Sequence, residues 1–211
     1  MFTLLLISSL ATAPAPTPTQ NNSTPTRTTS AKAHTSKLKT TPLTAKDLDA
    51  LSPEVLKTVG KDSVNLKQSF KLTDPGTPHD QSLFLVSNTD NPKPGFLHIF
   101  DIRQGAVFQT LDDHPGNEWT MVDVEAVEFQ DLNGDGLLDV VVLATPMTGV
   151  GPTAAEPFLS VGIWLGTADG KWALDAATSD AVTTEQPNGK LKQIVAAAKK
   201  HLESKTESKK P

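Results

Sequence analysis

The chain has 211 residues, of which 37% are hydrophobic, 5% aromatic and 20% charged, with 16 prolines and no cysteine or tyrosine. That length allows one ordinary domain with tails, and the missing cysteine excludes a disulfide framework, a thiolate metal site and a cysteine nucleophile. The net charge of -5 hides a steep gradient, because residues 43–185 carry about -14 between basic ends, and an acidic middle of that kind repels phosphate backbones and argues against nucleic acid as a partner.

In chain order, Phe2 to Leu10 is apolar but about half the length that crosses a bilayer, and no later segment approaches roughly 20 apolar residues, so the chain reads as not integral to a membrane. With Ala11-Thr12-Ala13 behind it as a small-x-small cleavage pattern, residues 1–13 read as a signal peptide and the protein as secreted or periplasmic. Residues 14–42 are rich in Thr, Pro, Ser and Ala without a single acid, a composition expected to form a disordered linker.

Order is expected from Leu43. Thr44 with Asp47 has the form of a capping box, and Ser52-Pro53-Glu54 supplies a cap, an N1 proline and a first-turn acid ahead of Val55, Leu56 and Val59, with Gly60 as a stop. From Val64 the apolar period becomes two. Val64 to Leu72, Leu83 to Val86, Phe96 to Ile102, Ala106 to Leu111, Trp119 to Phe129, Leu138 to Ala144, Phe158 to Leu165 and Lys171 to Leu174 read as short strands between Gly, Pro, Asn and Asp clusters. Leu191, Ile194, Val195, Ala198 and Leu202 then mark an amphipathic C-terminal helix, with Asn188 as its expected cap. Ser82 to Phe108 can be laid over Asp139 to Trp172 as a faint repeat of about 64 residues, with a longer loop after the first strand of the second unit. Two such units are too few to close a propeller. The expected fold is therefore mainly β: an antiparallel meander of two blade-like units, an open sheet or small sandwich, with short N-terminal helices and the C-terminal helix. The acidic β-domain would span 43–185 and the helix with its basic tail 186–211.

Asp131-Leu132-Asn133-Gly134-Asp135-Gly136-Leu137-Leu138-Asp139 carries the clearest chemistry. Side-chain oxygens stand at positions 1, 3, 5 and 9 around a glycine-rich bend, the hard-donor pattern that calcium requires, and Leu137 would add its backbone carbonyl. The paired Asn-Gly and Asp-Gly dipeptides also suit tight turns without an ion. Four oxygen side chains exceed what a turn needs, however, and crowded carboxylates repel each other unless a cation joins them. An EF-hand is excluded, since its twelfth position is Val142, inside an apolar run.

This pattern, preceded by Val127-Glu128-Phe129 and followed by Val140 to Leu143, resembles the calcium loop of FG-GAP/VCBS-type repeats, here in a single copy. The resemblance implies a calcium ion at one edge of a β-sheet, with Asp139 opening the second strand. A single such loop in a small tethered β-domain is also similar to bacterial periplasmic immunity and lysozyme-inhibitor proteins.

Other candidates form a second rank. Asp112, Asp113, His114 and Glu118, followed by Asp123, Glu125 and Glu128, contain enough carboxylates for glycoside hydrolysis, although a solvated loop and a polar strand face account for them as well. His98 alternates with Leu97 and Ile99 and is expected to face solvent. The long segment from Thr145 to Pro157 reads as a candidate partner-binding loop through Thr145, Met147, Thr148, Val150, Thr153 and Glu156. No catalytic residue is assigned. The expected function is that of an exported calcium-binding, non-enzymatic interaction module for a protein or glycan. The alternatives are a periplasmic inhibitor of a cell-wall hydrolase and a glycan hydrolase using residues 112–128.

Overall fold

A computed structural model describes residues 38–88, 96–149 and 156–207. The expected signal peptide, nearly all of the Thr/Pro-rich segment, and Val150 and Thr153 lie outside those residues. The described strands form two antiparallel sheets, each a plain meander. The first contains β1 (Lys39–Pro42), β2 (Phe70–Thr73), β3 (Ser82–Ser87), β4 (His98–Arg103) and β5 (Ala106–Leu111). The second contains β6 (Thr120–Gln130), β7 (Asp139–Met147), β8 (Ser160–Gly166) and β9 (Trp172–Leu174). The sequence correspondence falls on matching strands: β3, β4 and β5 occupy the places in their meander that β7, β8 and β9 occupy in theirs.

The two sheets pack face to face. Phe84, Val86, Leu97 and Ile99 from one meet Val127, Phe129, Val140, Val142, Trp164 and Trp172 from the other in a single core. Successive strand residues point to opposite faces, so the neighbours of these residues must be covered too. Val141, Leu143, Val161 and Ile163 lie under α3 (Ala176–Glu185) and α4 (Leu191–Glu207), packed on Val182, Ile194, Ala198 and Leu202. Leu85, Phe100 and Ile102 lie under α1 (Ala45–Asp49) and α2 (Pro53–Val59), packed on Leu48, Val55 and Val59. The layer order is helices, sheet, sheet, helices. Strands covered on both faces lose their polar alternation, which is why Leu83 to Val86 and Val140 to Ala144 are continuous apolar runs.

Both N-terminal helices start as their sequence dictates. Thr44 accepts from the Asp47 N–H while Asp47 accepts from the Thr44 N–H, a complete capping box. Ser52 accepts from Val55 N–H ahead of Pro53, and Gly60 ends α2 in the left-handed region at φ 65°.

Four sequence expectations need correction. The linker does not extend to Pro42: Lys39–Pro42 is an edge strand paired with β2 from Lys39 with Thr73 to Pro42 with Phe70. All four of its residues are exposed, so backbone pairing holds it and no apolar signal marks it. The strand expected from Val64 starts only at Phe70. Two one-turn 3-10 helices, Lys61–Ser63 and Leu66–Gln68, take its place, and the Asn65 side chain accepts the Lys67 N–H at 3.1 Å, a local bond that competes with a ladder. Asn188 gives way at the start of α4 to Gln193, whose side chain accepts the Lys190 N–H at 2.9 Å. Finally, α3 has no counterpart among the expected elements, because its buried residues are Thr178, Ser179 and Val182 and make no apolar stripe.

The polar composition of α3 has a structural reason. β9 pairs with β8 only from Trp164 to Gly166 and leaves the rest of that edge open. Ser179 Oγ accepts from Ile163 N–H and Thr183 Oγ1 accepts from Val161 N–H, each at 3.0 Å, so helix hydroxyls replace the missing strand.

Where β9 approaches β5, Gln109 closes the gap. Its Nε2 donates to the Trp172 carbonyl at 2.6 Å and its Oε1 accepts from Trp172 N–H at 2.9 Å, joining the two sheets as a strand would. The Trp172 indole packs edge-on against Phe84, stacks on His79 at 4.3 Å and donates Nε1–H to the Leu138 carbonyl at 2.7 Å. Truncating a buried Trp costs about 3–5 kcal/mol. Urea denaturation of Trp172→Ala is expected to show a loss of that order, and Gln109→Ala a smaller loss of about 1–3 kcal/mol from two unpaired backbone groups. A Trp172→Ala midpoint equal to wild type would contradict this account of how the sheets are joined.

Candidate functional site

The acidic loop joins β6 to β7, and Asp139 is the first residue of β7. Gly134 at φ 76° and Gly136 at φ 83° lie in the left-handed region, and neither would meet another atom with a Cβ, so backbone conformation alone demands glycine there. Their reversals turn loop amides onto the acidic side chains. Asp131 accepts from Gly134 N–H at 2.7 Å and from Gly136 N–H at 2.9 Å. Asn133 accepts from Asp135 N–H at 3.0 Å, and Asp135 accepts from Leu137 N–H at 2.8 Å.

The structure divides the expected ligand set. Asp131, Asn133 and Asp135 stand on the solvent side of the loop, with Asn133 Nδ2 donating to Asp135 Oδ2 at 3.0 Å. Leu137 is half-buried beside them. Asp139 is fully buried, and its carboxylate accepts from Leu132 N–H at 2.7 Å and from Gly166 N–H at 2.8 Å, tying the loop to the end of β8. Burial pushes the Asp139 carboxyl up to about 6; its two amide donors pull the other way, and the charges of Asp135 and Asp131 push it further up.

Among the described residues no three His, Asp or Glu side chains are already gathered as a metal cage. The chemistry of the donor set nevertheless suits a hard cation. Every side-chain donor is oxygen, and a carboxylate that accepts one N–H per oxygen retains a lone-pair site on each. No ion pair among the described residues brings a lysine or arginine to Asp131, Asp135 or Asp139. A calcium ion would be held by Asp131, Asn133, Asp135 and the Leu137 carbonyl, whereas Asp139 is set apart from them by full burial with an amide on each carboxylate oxygen.

The remaining acids are dispersed among separate structural hydrogen bonds. Asp112 pairs with His98 Nδ1 at 2.8 Å, Asp113 accepts from the Trp164 indole at 2.9 Å, and Glu118 accepts from Gly116 N–H at 3.2 Å. Asp123 accepts its neighbour Val124 N–H at 2.8 Å, and Glu125 accepts from Thr145 Oγ1 at 2.6 Å. None of the cavities described for the chain places an acid of the 112–118 stretch beside one of the 123–128 stretch. His98 is buried rather than solvent-facing, because α1 and α2 cover the outer face of the first sheet, on which it stacks with Phe100.

The expected partner loop begins later than the sequence suggested. Thr145 and Met147 belong to β7, paired with Asp123 and Thr120, so of the six candidate contact residues only Thr148 and Glu156 are described loop residues, Glu156 being exposed.

Sequence reasoning also passed over the surroundings of the acidic loop. A cavity of about 200 Å³ lies against it, lined by Asp131 and Leu137 on one side and by Asp74 and His79 from the β2–β3 connection on the other. Asp74-Pro75-Gly76 lacks the spacing of the calcium pattern, and only tertiary packing brings it here.

Comparison of the chain with protein-family models, with curated proteins and with solved structures finds no match in any of the three.

His114 marks the junction between the sheets, fully covered beside Trp164 and above Gly162. Burial pulls its pKa down to about 4, against the opposing influence of the Pro115 and Val142 backbone and the charges of Asp113 and Glu118. The folded state thus keeps His114 neutral at a pH where the unfolded chain binds a proton, so its contribution is present above about 6.5 and is lost as pH falls toward 4. Buried Asp139 titrates with the opposite sign, so the wild type must be read against a matched variant. Relative to His114→Gln, the wild type is expected to lose on the order of 3 kcal/mol between pH 7 and 4 in denaturant titrations; parallel curves would mean that His114 does not titrate as described.

Proposed function

We propose that this chain is an exported, calcium-binding, non-enzymatic interaction module whose β6–β7 loop is stiffened by the ion. One observation carries the reading: Asp131, Asn133 and Asp135 present only oxygen donors on the open side of a loop that no described lysine or arginine neutralises. The resemblance of Asp131 to Asp139 to FG-GAP/VCBS-type loops supports it, as does the position of that loop between paired strands. Export rests on Phe2 to Leu10 and Ala11-Thr12-Ala13, which lie outside the described residues. Extracellular calcium modules work at about 10⁻⁴–10⁻³ M, and a loop with three solvent-side ligands suits that range. The non-enzymatic reading is favoured over a glycan hydrolase because the acids from Asp112 to Glu125 are engaged singly in structural hydrogen bonds.

An ion that binds only the folded state adds RT ln(1 + [L]/Kd), about 2.7 kcal/mol at a hundredfold excess over Kd. That corresponds to a rise of about 5–11 °C in Tm for a domain of this size. Melting in saturating calcium against chelator is expected to show such a rise, and Asp135→Ala to abolish most of it, since the substitution deletes a carboxylate while keeping both glycines. An unchanged wild-type Tm would refute the calcium assignment. The interaction role is read separately, by binding of glycan fragments and secreted proteins to the immobilised chain with calcium, with chelator and with Asp135→Ala.

A further inference from the structure

The cavity of about 200 Å³ beside the acidic loop is lined in part by Asp74, a residue with an unmatched acceptor. Asp74 is 4% exposed, and its Oδ1 is buried without a hydrogen-bond partner among the described residues. Folded proteins seldom leave such an acceptor unmatched, because its desolvation is not repaid. Pro75 and Gly76 follow it in a tight turn, and the Thr77 N–H and hydroxyl both return to the Asp74 main-chain carbonyl, at 3.1 and 2.8 Å, leaving Oδ1 unserved.

Among the described residues no lysine or arginine forms an ion pair with this wall. The nearest described guanidinium, that of Arg103, is committed elsewhere: it donates to Asp101 at 2.6 Å and to the Gly170 carbonyl at 2.5 Å, and lies over the Phe108 ring at 3.8 Å. It also lies 3.2 Å from His79 Nδ1, and burial together with that guanidinium charge pulls the His79 pKa down to about 4, so the ring is neutral near pH 7. The rest of the lining is Pro78, Leu137, Leu138 and Ala168 with glycine backbone. The cavity therefore combines one unpaired carboxylate, a second at Asp131, no ion-paired lysine or arginine among the described residues, and apolar sides.

We propose that this cavity, between the β2–β3 connection and the turns at the end of the second sheet, binds a primary ammonium on a short apolar stem, with the ammonium on Asp74. Three N–H donors on one compact charge suit a carboxylate oxygen without a partner. An apolar cavity of about 150 Å³ holds a benzene ring, so a stem of about four to six carbons fits the observed volume. Both a free alkylamine and the side chain of a partner's lysine present that chemistry. The site does not depend on the calcium reading, although Asp131 and Leu137 border both.

The test uses the full ¹⁵N-labelled chain, titrated with n-butylammonium, with Nα-acetyl-lysine methylamide and with 1-butanol as the neutral isostere. Saturable shifts at the amides of Thr77, Leu138, Thr167 and Gly170 are expected with one or both ammonium probes. The first probe alone assigns a free amine, and the second alone assigns a lysine side chain. Butanol is expected to bind at least about tenfold more weakly, and Asp74→Asn to weaken ammonium binding by a similar factor, the worth of a charge-assisted hydrogen bond. Should Asp74→Asn fail to fold, Ala168→Phe at an exposed turn position is expected to block the cavity and abolish the same shifts. Equal binding of butanol and butylammonium, shifts confined to other residues, or undiminished binding in both variants would overturn the proposal. Running each titration in calcium and in chelator separates the readings: ammonium binding without a calcium-dependent Tm leaves this site standing and removes the metal, and the converse removes this site alone.

Discussion

Trp172 sets the geometry on which the functional end of the molecule depends. Its indole N–H holds the Leu138 carbonyl where the acidic loop enters β7, its ring face supports His79 in the β2–β3 connection, and its backbone is clasped by Gln109 from the other sheet. A three-residue strand cannot fix two loops by ladder bonds alone. A large flat side chain with a single directional donor supplies the missing constraint. The loop after β2 and the loop after β6 are thereby held against each other, and the cavity between them follows.

The same end concentrates charge at different depths. Asp101 is fully buried, and burial pushes its carboxyl up while Arg103 pulls it down. A pair of that kind is weak evidence of stability, because desolvation offsets most of the attraction. Its contribution is positional: Arg103 spans from β4 to the Gly170 carbonyl in the β8–β9 turn and to His79. Gly170 has to be glycine for that approach, since a Cβ there would lie 2.5 Å from Pro78, and its φ of 78° is in the left-handed region. Asp139 plays the corresponding part in the second sheet, where a buried carboxylate joins Leu132 and Gly166 by two amide bonds. Both carboxylates are structural ties, and the solvent-facing acids of the loop remain available for an ion.

The outer layers follow from the strands rather than the reverse. A meander whose central strands are apolar on both faces cannot remain a two-layer sandwich in water, because each outer face would expose Val, Leu and Ile in contiguous patches. The N-terminal pair covers one face with the side chains of Leu48, Val55 and Val59, and the C-terminal pair covers the other with Val182, Ile194, Ala198 and Leu202. Because α3 also caps an open strand edge through Ser179 and Thr183, it trades apolar residues for hydroxyls and contributes backbone satisfaction in place of burial.

What the sequence determined by itself was local: the caps at Thr44 and Ser52, the glycine reversals of the acidic loop, the positions of most strands and the apolar face of α4. These are encoded within a few residues, by side chains that bond their own backbone or recur at a fixed period. The tertiary structure alone decided what depends on distant partners. Lys39–Pro42 becomes a strand only because β2 offers an edge, and α3 is legible only beside β8. His98 is buried on the sheet face covered by helices about forty to fifty residues upstream. The separation of Asp139 from Asp131 and Asp135 likewise required Gly166, on another strand, to present an amide. Asp74 had no motif to mark it; its place beside the acidic loop arises from the packing of two sheets, which no spacing along a single chain records.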